Sequence, residues 1–240
     1  MSAPELVPAE LRPRLAELAQ ELREKLAAEQ PADVVVKEES LIHSSIAGAF
    51  STVMKVKEAA SLLSIDLPVS IPSGPEYLSG FATTIGSSIA MPREWHGPEH
   101  GYTRLLVLPH EWQHVKQHRD GVDAGWWPKV TTHSVLYLAG VVAKTEAGAE
   151  YVGKVEADGY AVTEFVRWWF TGSTRPAADV AASLRHHYNL VTGGSTVAEA
   201  LLLSHLREVE RGEAPNVWAA RIAEELLTKR AADLRGSLRG

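Results

Sequence analysis

The sequence predicts an α+β fold that is mostly helical and contains a small sheet. Segments with apolar residues at helical spacing occupy both ends of the chain, whereas the short segments that are predicted to form strands lie between residues 33 and 91. The 240 residues are 45% hydrophobic and 22% charged, which is ordinary for a globular protein. A chain of this length can form one large domain with additional helices.

Composition narrows the functional classes. The net charge is −6 and Lys and Arg form no basic stripe, so we expect no nucleic-acid partner. The chain has no Cys, so any metal must be bound by His and carboxylate side chains. The first residues lack the basic and apolar regions of a secretion signal. No apolar stretch reaches 18 residues, so we expect no membrane partner.

The N-terminal region, residues 1–30, is predicted to form an amphipathic helix over residues 8–29. Five leucines repeat at spacings of three or four residues, with charged residues between them: Leu11, Leu15, Leu18, Leu22 and Leu26. Pro13 fits only in the first turn of such a helix. The leucine face is expected to pack on the domain. The alternative is docking or self-association, because a narrow leucine seam also suits a partner helix.

The region that follows is predicted to contain the strands and a second helix. Ser40 can cap a helix from residue 41 to about residue 65, which has a broad apolar face. Strands are expected where β-branched residues lie between Gly- and Pro-marked turns: residues 33–37, 69–71, 77–84 and 87–91. Residues 95–102 are expected to form a loop.

Residues 105–121, LLVLPHEWQHVKQHRDG, contain the pattern H-E-x-x-H. We expect Pro109 in the first turn of a helix and Gly121 at its end. His110 and His114 then lie on one face, one turn apart, and can bind one zinc ion. Glu111 is placed to act as a general base on the water that such an ion binds. A chance match on a solvated helix is the alternative, because the motif is short.

A catalytic zinc ion needs a third protein ligand. His118 is excluded, because it lies about 12 Å along a continuous helix from the first histidine of the motif. Asp120 takes the place of the last histidine of the metzincin pattern H-E-x-x-H-x-x-G-x-x-H. Gln117, however, replaces the glycine that turns the chain there.

The predicted helix over residues 145–170 offers three further acids, Glu146, Glu156 and Asp158. Glu146 and Glu156 are ten residues apart, about 280° around a helix, so they cannot share a face. Solvation of the helix by these acids is the alternative to metal binding.

Residues 156–161, E-A-D-G-Y-A, resemble the second motif of gluzincin-type zinc metallopeptidases. In that family a Glu on a second helix supplies the third ligand, and a small residue three positions later lets the helices approach. Gln117 and the segment T-T-I-G-S-S-I-A-M-P also resemble small bacterial and phage-encoded proteins with H-E-x-x-H. The resemblance covers residues 79–169. Gly159 stands where Ala is usual, and Lys154 stands where some relatives have an acid.

The resemblance implies a zincin-like metallopeptidase core over residues 31–175. This core would contain a small, strongly twisted sheet and two metal-bearing helices, and residues 176–240 would form helices packed on it. The strand at residues 87–91 would be the edge strand that pairs with the main chain of a substrate.

The implied site binds Zn²⁺ through His110, His114 and Glu156, with Glu111 as the catalytic base. The expected partner is a peptide or protein substrate whose peptide bonds are hydrolysed. A donor to the developing oxyanion is also expected, and the candidates are Tyr160, His187 and Tyr188.

Two other functions fit the same residues. One is a catalytically silent structural or binding protein on a zincin scaffold, such as a component of a phage particle or secretion machine. The other is an amidase acting on cell-wall peptides. Without a signal or a membrane span, the protein is expected to be cytoplasmic or virion-associated.

Overall fold

The computed structural model describes residues 7–62, 73–123, 146–188 and 192–238. Within these ranges the fold is α+β and mostly helical, as predicted. Its elements follow in the order α1 (Arg12–Glu29), β1 (Asp33–Val36), α2 (Leu41–Leu62), α3 (Gly74–Ser79), β2 (Thr83–Ile85), β3 (Ser88–Met91), α4 (Gly101–Asp123), α5 (Glu146–Thr171), α6 (Ala177–Tyr188), α7 (Thr192–Glu210) and α8 (Trp218–Arg230). The predicted strand at residues 69–71 lies outside the described residues.

The three strands form one sheet in the order β1-β3-β2. Strand β3 pairs in parallel with β1 and antiparallel with β2. Gly86, with φ of +61°, occupies the two-residue turn between β2 and β3, where primed turns require a positive φ. The expectation that residues 87–91 form an edge strand is therefore wrong. The parallel pairing with β1 covers one side of β3, so β2 is the edge strand on the other side.

The strand predicted at residues 77–84 is also wrong over most of its length. Local capping decides the structure there, because Ser73 and Glu76 form a reciprocal capping box and Pro75 lies in the first turn. These signals start the helix α3, which buries Tyr77. Only the last residues of the predicted strand belong to β2.

Helix α4 begins earlier than the sequence predicts. It starts at Gly101, so Pro109 lies inside the helix rather than in its first turn. The apolar residues before Pro109 are helical and buried, since Leu105, Leu106 and Leu108 pack in the main core. The helix also continues past Gly121 to Asp123. A proline in a helix interior removes one backbone hydrogen bond, which the buried apolar face must offset.

The leucines of α1 are part of the main core. Leu15, Leu18, Leu22 and Leu26 are buried there against α4 and α8. The indole N–H of Trp112 on α4 donates to the carbonyl oxygen of Gln30 at 2.8 Å. The leucine face thus packs within this chain.

The last helices complete the fold on either side of α5. Helix α8 lies in the main core with α1 and α4, and ion pairs such as Lys25–Glu225 join α1 to α8 at the surface. A second cluster of buried residues joins α5 to the two helices after it: Ala157, Val180, Leu184, Ala198, Leu202 and Leu206. None of the described helices is long and apolar enough to cross a membrane.

Candidate metal centre

Helices α4 and α5 bring three of the predicted ligands together. His110 and His114 face α5, and the Glu156 carboxylate lies between their rings. His110 Nε2 is 3.5 Å from Glu156 Oε2, and His114 Nε2 is 3.6 Å from Glu156 Oε1. The Glu156 side chain is 1% exposed, against 14% for His110 and 11% for His114. The group is therefore buried, with its more open side at the histidines.

The spacing of these three groups fits a zinc ion. Tetrahedral ligands at about 2.1 Å from an ion lie about 3.4 Å from one another. The two nitrogen–oxygen distances are close to this value, and one donor atom from each residue lies within 4.8 Å of the others. Two imidazoles and one carboxylate are also the ligand types that zinc binds in catalytic sites. His110, His114 and Glu156 could thus hold a metal ion.

The outer nitrogens of both rings are held by hydrogen bonds. His110 Nδ1 is 3.2 Å from Thr163 Oγ1, and His114 Nδ1 is 2.9 Å from Gln117 Oε1. If each Nδ1 carries the proton and donates it, each Nε2 keeps a free lone pair directed at Glu156. Such bonds fix both the tautomer and the orientation of metal-binding histidines.

The buried charges of His114 and Glu156 shift each other's pKa values. Burial alone would lower the pKa of His114, but the Glu156 carboxylate outweighs burial and raises that pKa to about 9. Burial alone would raise the pKa of Glu156, and the two imidazoles instead hold it far below its usual range. His114 and Glu156 therefore form an ion pair near neutral pH. A metal ion would have to displace a proton from His114, because only the neutral ring is a ligand.

Glu111 lies beside the three ligands and is held by the sheet. Its Oε2 accepts a 2.7 Å hydrogen bond from the hydroxyl of Thr84 in β2. The side chain is buried, and its charge contributes to the raised pKa of His114. The carboxylate is thus fixed near the proposed ion without belonging to the ligand group.

Gly159 explains how α5 comes close enough to α4. A Cβ atom at this position would lie 2.7 Å from Cε1 and Nε2 of His110, which is closer than real Cβ contacts allow. The ring of His110 therefore occupies the space that a side chain at residue 159 would need.

Replacing Gly159 with Ala should push the His110 ring away from Glu156. We expect zinc affinity to fall on the order of 10–100-fold, the range seen when support of a ligand is lost. Competition with a chromophoric chelator would measure this. Gly48→Ala is the matched control, because a Cβ there meets no atom within 4 Å. Alanine also favours a helix over glycine, so weakening of α5 would not explain the loss. Unchanged affinity in Gly159→Ala would contradict the close approach.

Two other candidate ligands, Asp120 and Asp158, lie elsewhere, and so does His118, which the sequence had excluded. Asp120 is exposed and pairs with Lys116 at 2.5 Å. Asp158 accepts a 2.9 Å hydrogen bond from Gln117 Nε2. His118 lies farther along α4, near the turn at Gly86. Among the described residues, none of the three belongs to the group that could hold a metal.

Glu146 is the first residue of α5, about 15 Å along the helix axis from Glu156 at 1.5 Å per residue. Its side chain lies outside the described part of the structure. The same holds for the side chains of His187 and Tyr188 at the end of α6.

Tyr160 is close to the site. Its ring lies 5.5 Å from that of His110, with the two planes at 84°. Burial, reinforced by the charge of Glu156, raises the pKa of the Tyr160 hydroxyl. The hydroxyl therefore keeps its proton and can donate a hydrogen bond.

Thr84, Thr163 and His205 also support the site and were not predicted from the sequence. Thr163 carries a signal, because it follows Gly159 by four residues and so shares the ligand face of α5. Thr84 lies in a strand, and its approach to α4 has no local pattern. His205 lies on α7, where its Nε2 is 3.3 Å from Asp158 Oδ1. Burial would lower the pKa of His205, but the bond to Asp158 raises it.

No protein-family model, curated protein or solved structure matches this chain. A functional assignment must therefore rest on the site, since a fold alone supports many functions. The site supplies a ligand group, a separate carboxylate beside it and supporting hydrogen bonds to both.

Proposed function

We propose that the protein is a zinc-dependent metallopeptidase with a zincin-like core. The main support for this proposal is the arrangement of four side chains on α4 and α5. His110, His114 and Glu156 converge with the spacing of zinc ligands, while Glu111 is held beside them and outside the ligand group. A structural zinc site is closed by four protein ligands, whereas a catalytic site keeps one position open. Among the described residues no fourth side chain joins this group, so one position stays open in the proposed site.

Each residue has a distinct task in this proposal. The three ligands would hold the ion, which supplies Lewis-acid chemistry by lowering the pKa of water and polarising a carbonyl. Glu111 would accept a proton from the attacking water and pass it to the leaving amine. The Thr84 hydroxyl would keep the Glu111 carboxylate in position. Tyr160 is the candidate donor to the developing oxyanion, because its hydroxyl stays protonated next to His110.

Strand β2 is the surface we propose for the substrate main chain. Within the described residues it pairs only with β3, so its outer edge has no strand partner there. The middle residue of β2, Thr84, bonds to Glu111, which places this edge next to the proposed base. An extended peptide can add to such an edge by main-chain hydrogen bonds. Phe81 and Ile85 are both 41% exposed near this edge and offer apolar contacts.

Zinc content and peptide hydrolysis together test the proposal. The purified protein should bind about one zinc ion per chain, as a three-ligand catalytic site requires. It should cleave members of a random peptide library, lose this activity after chelation and regain it with stoichiometric zinc. His110→Ala and His114→Ala should abolish both properties. Stoichiometric zinc in both variants would remove the site from α4.

The silent-scaffold alternative gives a different result in the same experiment. Zinc would bind at the same ratio, but the wild type would cleave no peptide. A cell-wall amidase would leave the random library intact and release fragments from peptidoglycan peptides.

A further inference from the structure

Three polar side chains connect the ligand His114 to α7. They are Gln117, Asp158 and His205, and we call them the polar row. His114 Nδ1 lies 2.9 Å from Gln117 Oε1, and Gln117 Nε2 lies 2.9 Å from Asp158 Oδ2. Asp158 Oδ1 lies 3.3 Å from His205 Nε2. Helices α4, α5 and α7 therefore meet in one set of hydrogen bonds that ends on a metal ligand.

The direction of these bonds follows from the ligand. His114 Nε2 faces Glu156 and needs its lone pair for an ion, so Nδ1 carries the proton and donates to the Gln117 carbonyl. The amide nitrogen of Gln117 then donates to Asp158 and, at 3.3 Å, to the carbonyl oxygen of Val155. If the Gln117 amide were flipped, its NH₂ group would face the Nδ1–H of His114, and its carbonyl oxygen would face the Asp158 carboxylate. Neither pair could form a hydrogen bond, because the first would be two donors and the second two acceptors. Asp158 thus fixes the amide in the orientation that His114 requires.

His205 fixes Asp158 in turn. It is buried at 7% exposure, between Leu202 and Leu206 of the second apolar cluster, so packing holds its ring. Its Nε2–H donates to the carboxylate oxygen that Gln117 does not use. Both oxygens of Asp158 are therefore engaged, one from each side.

We propose that Gln117, Asp158 and His205 are positioning residues for His114, so that α7 tunes zinc affinity without touching the ion. The inference rests on the proposed metal centre. Within the described part of the chain His110 has no comparable row, because His110 Nδ1 meets Thr163 Oγ1, which in turn lies near the backbone carbonyls of Gly159 and Leu106. The polar row contains the carboxylate of Asp158, which His205 of α7 holds in place, so the row makes His114 a stronger and better-oriented donor to the ion.

Zinc dissociation constants of single and double variants test the polar row. Gln117→Leu and Asp158→Leu should each weaken zinc binding on the order of 10–100-fold. His205→Leu should weaken it by about 3–10-fold, because it acts through two further residues. His205→Gln keeps an N–H donor and should recover most of this loss. The double variant Gln117→Leu/His205→Leu should bind no more weakly than Gln117→Leu alone, since the row is already broken.

Gln113→Leu is the matched control for Gln117→Leu. Gln113 is also buried on α4, but its Oε1 accepts a 3.2 Å hydrogen bond from the backbone N–H of Ala219. This variant should lower the melting temperature of the metal-free protein and leave zinc affinity unchanged. For the variants of the polar row, the loss of zinc affinity should instead be the larger effect, and the change in the melting temperature of the metal-free protein should be the smaller one.

The outcomes separate this inference from the proposed function. Wild-type protein that binds no zinc would overturn the metal centre and the polar row together. A wild type that binds zinc, with Gln117→Leu and Asp158→Leu within about threefold of it, would overturn the polar row alone. Fully additive losses of zinc-binding free energy in the double variant would also overturn the polar row. The effects of substitutions in one hydrogen-bond network are not expected to add.

Discussion

Replacing Glu156 with Ala should release zinc from the protein on dialysis. Glu156 is the proposed ligand from α5, and its side chain lies between both imidazoles at 1% exposure. Without it the ion would be held by two histidines of one helix and would be open on two sides. The affinity loss should exceed the roughly 100-fold upper range expected for a supporting residue. Elemental analysis after dialysis and a chelator competition would measure it.

Two carboxylates provide controls for this result. Glu150 lies on the same helix, is 42% exposed and pairs with Lys154 at 2.5 Å. Asp120 follows the motif on α4 and is also exposed. Glu150→Ala and Asp120→Ala should keep their zinc. Loss of zinc in either control but not in Glu156→Ala would overturn the ligand set. So would a zinc-bound structure with the Glu156 carboxylate more than about 3 Å from the ion, where a bond needs roughly 2.0–2.2 Å.

Replacing Glu111 with Gln should abolish hydrolysis and leave zinc in place. Glutamine has nearly the same shape and can still bond to the Thr84 hydroxyl, but it cannot accept a proton from water at neutral pH. General-base catalysis contributes about 10²–10⁴-fold, so turnover on a peptide cleaved by the wild type should fall in this range. Zinc content should match the wild type, because Glu111 is outside the ligand group.

Glu150→Gln makes the same chemical change at an exposed position and should keep full turnover. If Glu111→Gln turns over the same peptide at the wild-type rate, the proposed mechanism is wrong. A variant that loses both zinc and turnover would show that Glu111 holds the ion rather than the water.

The parts of the site that could be predicted are those set by helical periodicity. His110 and His114 are four residues apart, so any helix places them on one face. Glu156 lies 42 residues beyond His114, and its assignment needed the resemblance of its motif together with the small residue Gly159. In the structure the ring of His110 fills the space that a side chain at this position would need. Helix type and approximate position were predictable for the same reason, because apolar spacing is local information.

The parts that could not be predicted depend on contacts between distant segments. Thr84 reaches Glu111 across 27 residues, and His205 reaches Asp158 across 47. No local spacing encodes either contact. The central position of β3 was missed because it depends on parallel pairing with β1, a non-local choice. At residues 77–84, aromatic and β-branched residues favoured a strand, but the capping box and proline at residues 73–76 outweighed them.

The packing of α1 against α8 sets the order in which this chain can fold. The pair Lys25–Glu225 spans 200 residues, so the face that α1 presents to α8 stays uncovered until α8 has been synthesised. Closing so long a loop carries an entropic cost that only later contacts offset, which slows folding. Helix α4 packs against both of these helices, so its final position also depends on their meeting. The geometry around His110 and His114 should therefore be completed only when α8 has packed against α1 and α4, in a late step of folding.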